Sequence, residues 1–313
     1  MLAIFLQTLP FFLIIGLGFG AGRTAFFSDV ATTYLTKFVF YFALSAMLFR
    51  FSANLSLAEV IDWRFISAYL WATGFVYLLA TMVSFLRGVT VEEAAIEAQC
   101  AVIGNVGFLG IPMLVMLMGE AAIVPVMLVL AVDLIVFGSL IVILVTGSRD
   151  RRMSFGIFRT VGLGLLKNPM IVSITLGLAW SALALPIPAP MNDFLTILGG
   201  AATPGALFAI GASLASKSAE RFLVPGWLSF CKLVLHPAFV ALSALWLFPV
   251  ETYSASVMIA AAALPVAGNV YILAQHYGVA PQRVSSAILM STALAVVSVS
   301  FVIGWVSPMA GLR

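Results

Sequence analysis

The sequence is poor in charge. Of 313 residues, 15 are Lys or Arg and 12 are Asp or Glu, together 9%, where soluble domains carry about 25%. So few charges cannot cover a water-facing surface on a chain of this length, which excludes a soluble globular enzyme. The same numbers exclude disorder, which needs low hydrophobicity and high charge. Cysteine is nearly absent: Cys100 and Cys231 both fall in apolar segments, and no CxxC pair is present. A disulfide framework and a thiolate metal site are therefore not expected, and both thiols read as small buried hydrophobes. The two histidines, His236 and His276, lie in different apolar segments, so no metal cluster forms from them. There is no P-loop, no Gly-x-Ser-x-Gly elbow and no paired acid and base, so neither ATP-driven work nor another enzymatic reaction is expected. The basic residues are scattered over short loops, a pattern that does not suit nucleic acid.

Apolar residues fill the space that charge leaves. The set AVILMFWYC makes up 63% of the chain and the mean hydropathy is +1.17. Stretches free of Asp, Glu, Lys and Arg cover 1–22, 65–86, 98–119, 194–216, 252–282 and 284–312. About twenty helical residues cross the hydrocarbon of a bilayer, and backbone groups in lipid must be paired within the segment. Short alternating segments of a barrel are missing. The expected fold class is therefore an all-α integral membrane protein embedded in a lipid bilayer. Ten spans are expected, at about 2–21, 31–50, 65–86, 94–118, 121–146, 168–185, 191–215, 222–248, 253–275 and 284–307. The first is read as a span rather than a signal peptide, because it lacks a basic n-region and is too long.

Lys and Arg are unevenly shared between the two sides. Ten lie in the loops of one side (Arg23, Arg87, Arg149, Arg151, Arg152, Arg159, Lys167, Lys217, Arg221, Arg283) and three on the other (Arg50, Arg64, Arg313). The richer side is expected to be cytoplasmic, which places both termini outside and the loop 147–167 inside. That loop divides the chain into 1–146 and 168–313, five spans each. Pro10 precedes Gly18 by eight residues in span 1, as Pro169 precedes Gly177 in span 6; span 4 holds Gly104-Asn105-Val106 and span 9 holds Gly268-Asn269-Val270. Because five is odd, the second half enters the membrane from the opposite side. The pattern predicts two inverted five-helix repeats, as many secondary transporters have.

Spans 4 and 9 also carry the residues that interrupt helices. Span 4 holds Gly104, Gly107, Gly110 and Pro112 within nine residues, and span 9 holds Pro265 and Gly268. Proline removes a backbone donor and clashes with the preceding turn. Both spans are expected to break at mid-membrane depth and to cross there, which is tolerated only where the freed groups are buried or line a cavity. Each break presents a half-helix N-terminus carrying roughly half a positive charge, with Asn105 or Asn269 beside it. A small organic anion, most simply a carboxylate, suits such a pair of poles. Gly104, Asn105, Gly268 and Asn269 are the candidate substrate-binding residues, with Gly107, Pro112 and Pro265 as helix breakers.

Ionisable residues inside a membrane are costly and mark candidate sites. Asp133 falls near the middle of span 5. Lys232 and His236 lie four apart, on one face of span 8. Lys232 would balance a substrate carboxylate, pair with Asp133, or snorkel to the interface. His236 would carry protons near neutral pH or simply bond a carbonyl. Glu97, at the edge of span 4, joins Asp133 and His236 as a candidate for ion or proton coupling. No cofactor is expected beyond a coupling Na+ or H+.

Several stretches together resemble the auxin efflux carrier family, which includes plant auxin carriers and bacterial malonate and malate permeases. They are Gly104-Asn-Val-Gly-Phe-Leu-Gly-Ile-Pro112, Asn168-Pro-Met-Ile171, Ala202-Thr-Pro-Gly-Ala-Leu-Phe-Ala-Ile-Gly-Ala-Ser213, Lys232-Leu-Val-Leu-His-Pro237, Leu264-Pro-Val-Ala-Gly-Asn269 and Ser285-Ser-Ala-Ile288. The resemblance implies a fold like that of bile-acid/sodium symporters. Spans 1, 2, 6 and 7 would form a dimerising scaffold, and spans 3–5 and 8–10 a transport unit moving past it, elevator fashion. It also implies a plasma-membrane carrier of an organic anion, a mono- or dicarboxylate such as malonate or malate, or an auxin-like acid, working as a homodimer. Asn105, Asn269, Pro112 and Pro265 match the family's crossover residues. Val106 and Gly268 depart from its usual pattern, and the long loop of many plant carriers is absent. An anion channel or uncoupled facilitator is the alternative, and it would want a continuous polar stripe that the spans do not carry.

Overall fold

The computed structural model describes residues 2–54, 62–150, 159, 162–163, 166–215 and 223–311. Among them every regular element is helical, apart from one isolated bridge between two extended segments. In chain order the helices are α1 (Leu2–Arg23), α2 (Asp29–Ala53), α3 (Trp63–Leu86), α4 (Val91–Val102), α5 (Val106–Met118), α6 (Glu120–Ser148), α7 (Pro169–Ala182), α8 (Ala189–Ala215), α9 (Leu223–Leu247), α10 (Thr252–Ala262), α11 (Gly268–Tyr277) and α12 (Pro281–Val306). Six of these, α2, α3, α6, α8, α9 and α12, are long and apolar enough to cross a membrane. Shorter apolar helices occupy Thr8–Arg23 within α1, and α5, α7 and α10. The expected spans 4 and 9 are each divided, into α4 with α5 and α10 with α11. Most of the loop 147–167 lies outside the described residues, as do Arg151, Arg152, Lys217 and Arg221.

Local chemistry sets where these helices start. Ser28, Asp62, Thr90, Asn168 and Glu251 each stand just before a helix, and their side-chain oxygens accept first-turn N–H groups, which satisfies donors that have no helical partner. Inside the long helices the regular ladder is widened by π-turns: Val39–Ala43 in α2, Asp133–Phe137 in α6, and Cys231–Leu235 and Ser243–Leu247 in α9. A fifth π-turn, Val106–Gly110, opens α5. Such turns concentrate at functional sites, and here two of them carry Asp133 and Lys232.

Glycine dictates which helices pack most closely. A Cβ on Gly18 of α1 would sit 2.1 Å from the carbonyl oxygen of Phe208 in α8, and one on Gly211 of α8 would sit 1.9 Å from that of Ile15. A Cβ on Gly177 of α7 would sit 2.5 Å from Ser52 Cβ and 2.7 Å from the Phe49 carbonyl oxygen in α2. Small residues let backbones approach where lipid supplies no hydrophobic drive between helices. The matched Pro–Gly pairs of the sequence thus serve matched contacts: Gly18 seats α1 on α8, and Gly177 seats α7 on α2.

A second set of helices surrounds the divided ones. The α3 helix packs on α4 and α9, and α10 packs on α6, α9 and α12. Where the two sets meet, α12 lies along α1, with Thr8 Oγ1 and Ser300 Oγ 2.7 Å apart, and α8 lies against the first turn of α5.

Candidate functional site

The two helix interruptions meet. Gly104 and Val266 form an antiparallel bridge, the Asn105 N–H donates to the Pro265 carbonyl (2.9 Å), and the Ala267 N–H donates to the Ile103 carbonyl (3.0 Å). A third amide, the Val266 N–H, donates to Ser291 Oγ (3.1 Å). Backbone freed by one break is therefore satisfied by the other, as the absence of water at this depth requires.

A cavity of about 70 Å³ lies against this ladder. Six of the residues predicted from sequence line it: Gly104, Asn105, Gly107, Asp133, Gly268 and Asn269. Asn105 is buried and makes no capping bond to the helix it precedes. Asn269 Oδ1 is buried without a hydrogen-bond partner. Gly268 is exposed, with nothing within 4 Å of where its Cβ would stand, so it faces the open space. The N-terminal ends of α5 and α11 both point their positive poles here. Asp133 accepts a hydrogen bond from Tyr69 Oη on Oδ1 (2.9 Å), while its buried Oδ2 has no partner.

Lys232 and His236 lie behind the ladder, not on the cavity. Lys232 is fully buried, and its ammonium donates to the Ala262 carbonyl at the end of α10 and to His236 Nδ1 (3.2 Å). With Nδ1 accepting, His236 Nε2 carries the proton and donates to Thr73 Oγ1 (3.0 Å); this tautomer is assigned from the neighbouring donor. The C-terminus of a helix is its negative pole, where a cation is stabilising. Lys232 thus caps the end that the break in span 9 exposes. A Cβ on Gly104 would stand 3.3 Å from Lys232 Nζ, so glycine there makes room for the ammonium. No ion pair within 4 Å joins Lys232 to Asp133 among the described residues, although each charge acts on the other.

The proline breakers divide. Pro265 sits in the interruption itself. Pro112 comes after it, as the second residue of the regular turns Ile111–Met118, and lines a larger, mostly apolar cavity of about 370 Å³ between α1, α2, α5 and α8. Gly107 has a packing role: a Cβ there would stand 2.6 Å from Met170 Cε of α7.

Glu97 lies apart from the cavity. Its Oε1 accepts from Arg87 (2.7 Å) and Arg283 (2.6 Å), its Oε2 accepts from Ser84, and it is 1% exposed. Glu93 stands 3.8 Å from Arg283. The cluster ties together the ends of α3, α4 and α12. Glu97→Gln is expected to lower stability by about 3–5 kcal/mol, the usual penalty for removing one partner of a buried ion pair. Thermal unfolding would register that loss, with ligand affinity of the folded fraction unchanged; an affinity loss without a stability loss would assign Glu97 to the site instead.

Among the polar lining residues, Asn168 was not one of the site residues expected from sequence. Asn168 stands at the N-terminus of α7 and lines the cavity together with Met170. It opens the stretch Asn168-Pro-Met-Ile171 that carries part of the family resemblance, but nothing local signalled the cavity.

Comparison with known proteins shows the family. A family model described as "Membrane transport protein" matches residues 3–303. A protein of Rhizobium meliloti (strain 1021), named "Putative malonate transporter", is 31% identical over 301 residues, covering 93% of this chain and 92% of its own. With its several apolar helices the chain is a multi-pass membrane protein, and it is a transporter rather than an enzyme. It belongs to the membrane transport protein family, that of the auxin efflux carriers its motifs resemble.

Proposed function

We propose that this chain is a secondary transporter of a small carboxylate, with malonate as the leading candidate, working by alternating access around Asn105 and Asn269. The observation that carries the reading is the pair of broken helices, joined by their backbones and opening two positive poles and two asparagines onto one cavity. The cavity of about 70 Å³ has room for only a few small groups, a single water needing about 10–15 Å³ on this measure, which favours a short acid over an aromatic one. The relative named as a malonate transporter points the same way.

The rest of the reading rests on the sequence pattern and on the family resemblance. Residues 1–146 and 168–313 form two inverted repeats of five spans, with α4/α5 and α10/α11 as the crossing fourth and ninth, and 147–167 as a cytoplasmic linker. The closely packed helices α1, α2, α7 and α8 are the scaffold, and the remainder moves against it in a plasma-membrane homodimer with both termini outside. Asp133 Oδ2, buried and unpartnered, is the acceptor for a coupling proton or Na+. His236 has both ring nitrogens engaged and serves to hold Lys232.

Purified protein in liposomes tests this. Labelled malonate should enter faster when the vesicles are preloaded with unlabelled malonate, because a carrier returns loaded; an imposed sodium or pH gradient should then identify the coupling ion. Uptake indifferent to preloading would make the protein a channel, and no malonate or succinate uptake under any gradient would sink the substrate class.

A further inference from the structure

The two cavities follow one another along the same two helices. On α5 the small one takes Gly107 and Phe108, and the large one takes Ile111, Pro112 and Val115. On α2 the small one takes Phe40, and the large one takes Met47, Arg50 and Phe51. Phe40 and Phe108 therefore stand at the boundary. Their rings are stacked, with centroids 6.2 Å apart and planes 10° from parallel, a separation at which aromatic pairs attract. Both are half-buried and pack against the core. Each ring rides on a π-turn, Val39–Ala43 or Val106–Gly110, a backbone form that concentrates at functional sites. Phe40 belongs to the set of α1, α2, α7 and α8, and Phe108 to the other, so the pair spans the line where the two sets meet.

Charge does not keep a larger acid away from this boundary. Arg50, on the large cavity, donates from Nε to Asn192 Oδ1 (3.1 Å), and no carboxylate stands within 4 Å of it among the described residues. A cation without a counter-ion at membrane depth attracts anions. Volume does not exclude such an acid either, since about 370 Å³ falls in the range of small-molecule sites, about 300–1,000 Å³. Discrimination at the boundary has to be steric. We propose that Phe40 and Phe108 form an aromatic partition between the cavities, filling the space through which the apolar body of an acid held at the crossover would extend. Two side chains, rather than the crossover itself, then set the largest acid that fits. The inference rests on the carrier reading above and adds the residues that limit its substrate.

The test measures binding of acetate, phenylacetate and malonate to the purified full-length protein, with thermal midpoints, for the wild type and for Phe40→Ala, Phe108→Ala, Phe40→Leu and Phe108→Leu. Acetate and phenylacetate share a carboxylate and differ by one ring. Each alanine variant is expected to raise phenylacetate affinity relative to acetate by at least about tenfold, because even one methylene in an apolar pocket is worth about 10–200-fold. The leucine variants keep more of the packing and should show a smaller rise in the same direction, so an alanine variant that fails to fold leaves the answer to them. A wild-type ratio in every folded variant, or equal gains for acetate and phenylacetate, would overturn the partition. So would a wild-type protein that binds phenylacetate as tightly as malonate. A wild type that binds no malonate would instead sink the carrier reading, while the phenylacetate-to-acetate ratio would still decide whether the two rings divide the cavities.

Discussion

Asn105→Ala and Asn269→Ala should each reduce malonate uptake by about ten- to a hundredfold, since each removes a hydrogen bond to a charged group, and neither should make the protein less stable. The second half of the expectation distinguishes a binding role from a structural one. Asn105 makes no capping bond to the helix that follows it, so alanine removes no support there. Asn269 Oδ1 is buried without a partner, and an unsatisfied buried acceptor destabilises a fold by about 1–3 kcal/mol. Asn269→Ala should therefore unfold at the wild-type temperature or above it, while transport falls. Uptake per folded molecule, set beside the thermal midpoint, checks both parts. Transport at the wild-type rate in both variants would show that the cavity between the breaks is not where the solute binds.

Lys232→Met should have the largest effect on stability of any single change at this site. Methionine fills the volume but leaves the Ala262 carbonyl at the end of α10 without its donor, His236 Nδ1 without its partner, and Asp133 without the nearby positive charge. Removing one member of a buried charged set typically destabilises by about 3–5 kcal/mol. Adding Asp133→Asn to that variant should recover part of the loss, because it removes the charge left unbalanced. The coupling, measured as a double-mutant cycle on thermal or denaturant unfolding, should lie in the range of about 0.5–3 kcal/mol seen for residues in one network. Additive losses would mean that the two charges do not sense each other, and an undiminished Lys232→Met protein would remove Lys232 from the support of the ladder.

The apolar runs and the two interruptions were legible in the sequence because each has a local cause. Charge-free stretches of twenty or more residues had to be helical, and Gly, Pro and Asn clusters marked where a helix would give way. Locating the breaks within those clusters was less direct. Pro112 is the strongest breaker in span 4, yet the chain leaves the helix at 103–105 and re-enters through the π-turn Val106–Gly110, so that Pro112 falls in regular helix beyond it. The π-turns have no local signature, because they depend on what the widened turn meets across the packing. The spacing of Lys232 and His236 showed that they share a face, but not that this face meets the carbonyl end of α10. Glu97 was recognisable as a costly buried charge, whereas its partners Arg87 and Arg283 stand 10 and 186 residues away. Asn168 was visible in the sequence only as part of a family-resembling stretch and not as a lining residue, since only the fold brings it to the cavity.

The short ladder between the two interruptions limits how this molecule can move. Gly104 is bridged to Val266, and the flanking amides of Asn105 and Ala267 are tied to Pro265 and Ile103. Pulling one half-helix away from the other would strand those groups in hydrocarbon, at several kcal/mol for each. The cradle therefore has no independent jaws. In the carrier proposed above it would travel as a single keel, and the seam on which it would slide is the line where α12 and α5 rest against α1 and α8.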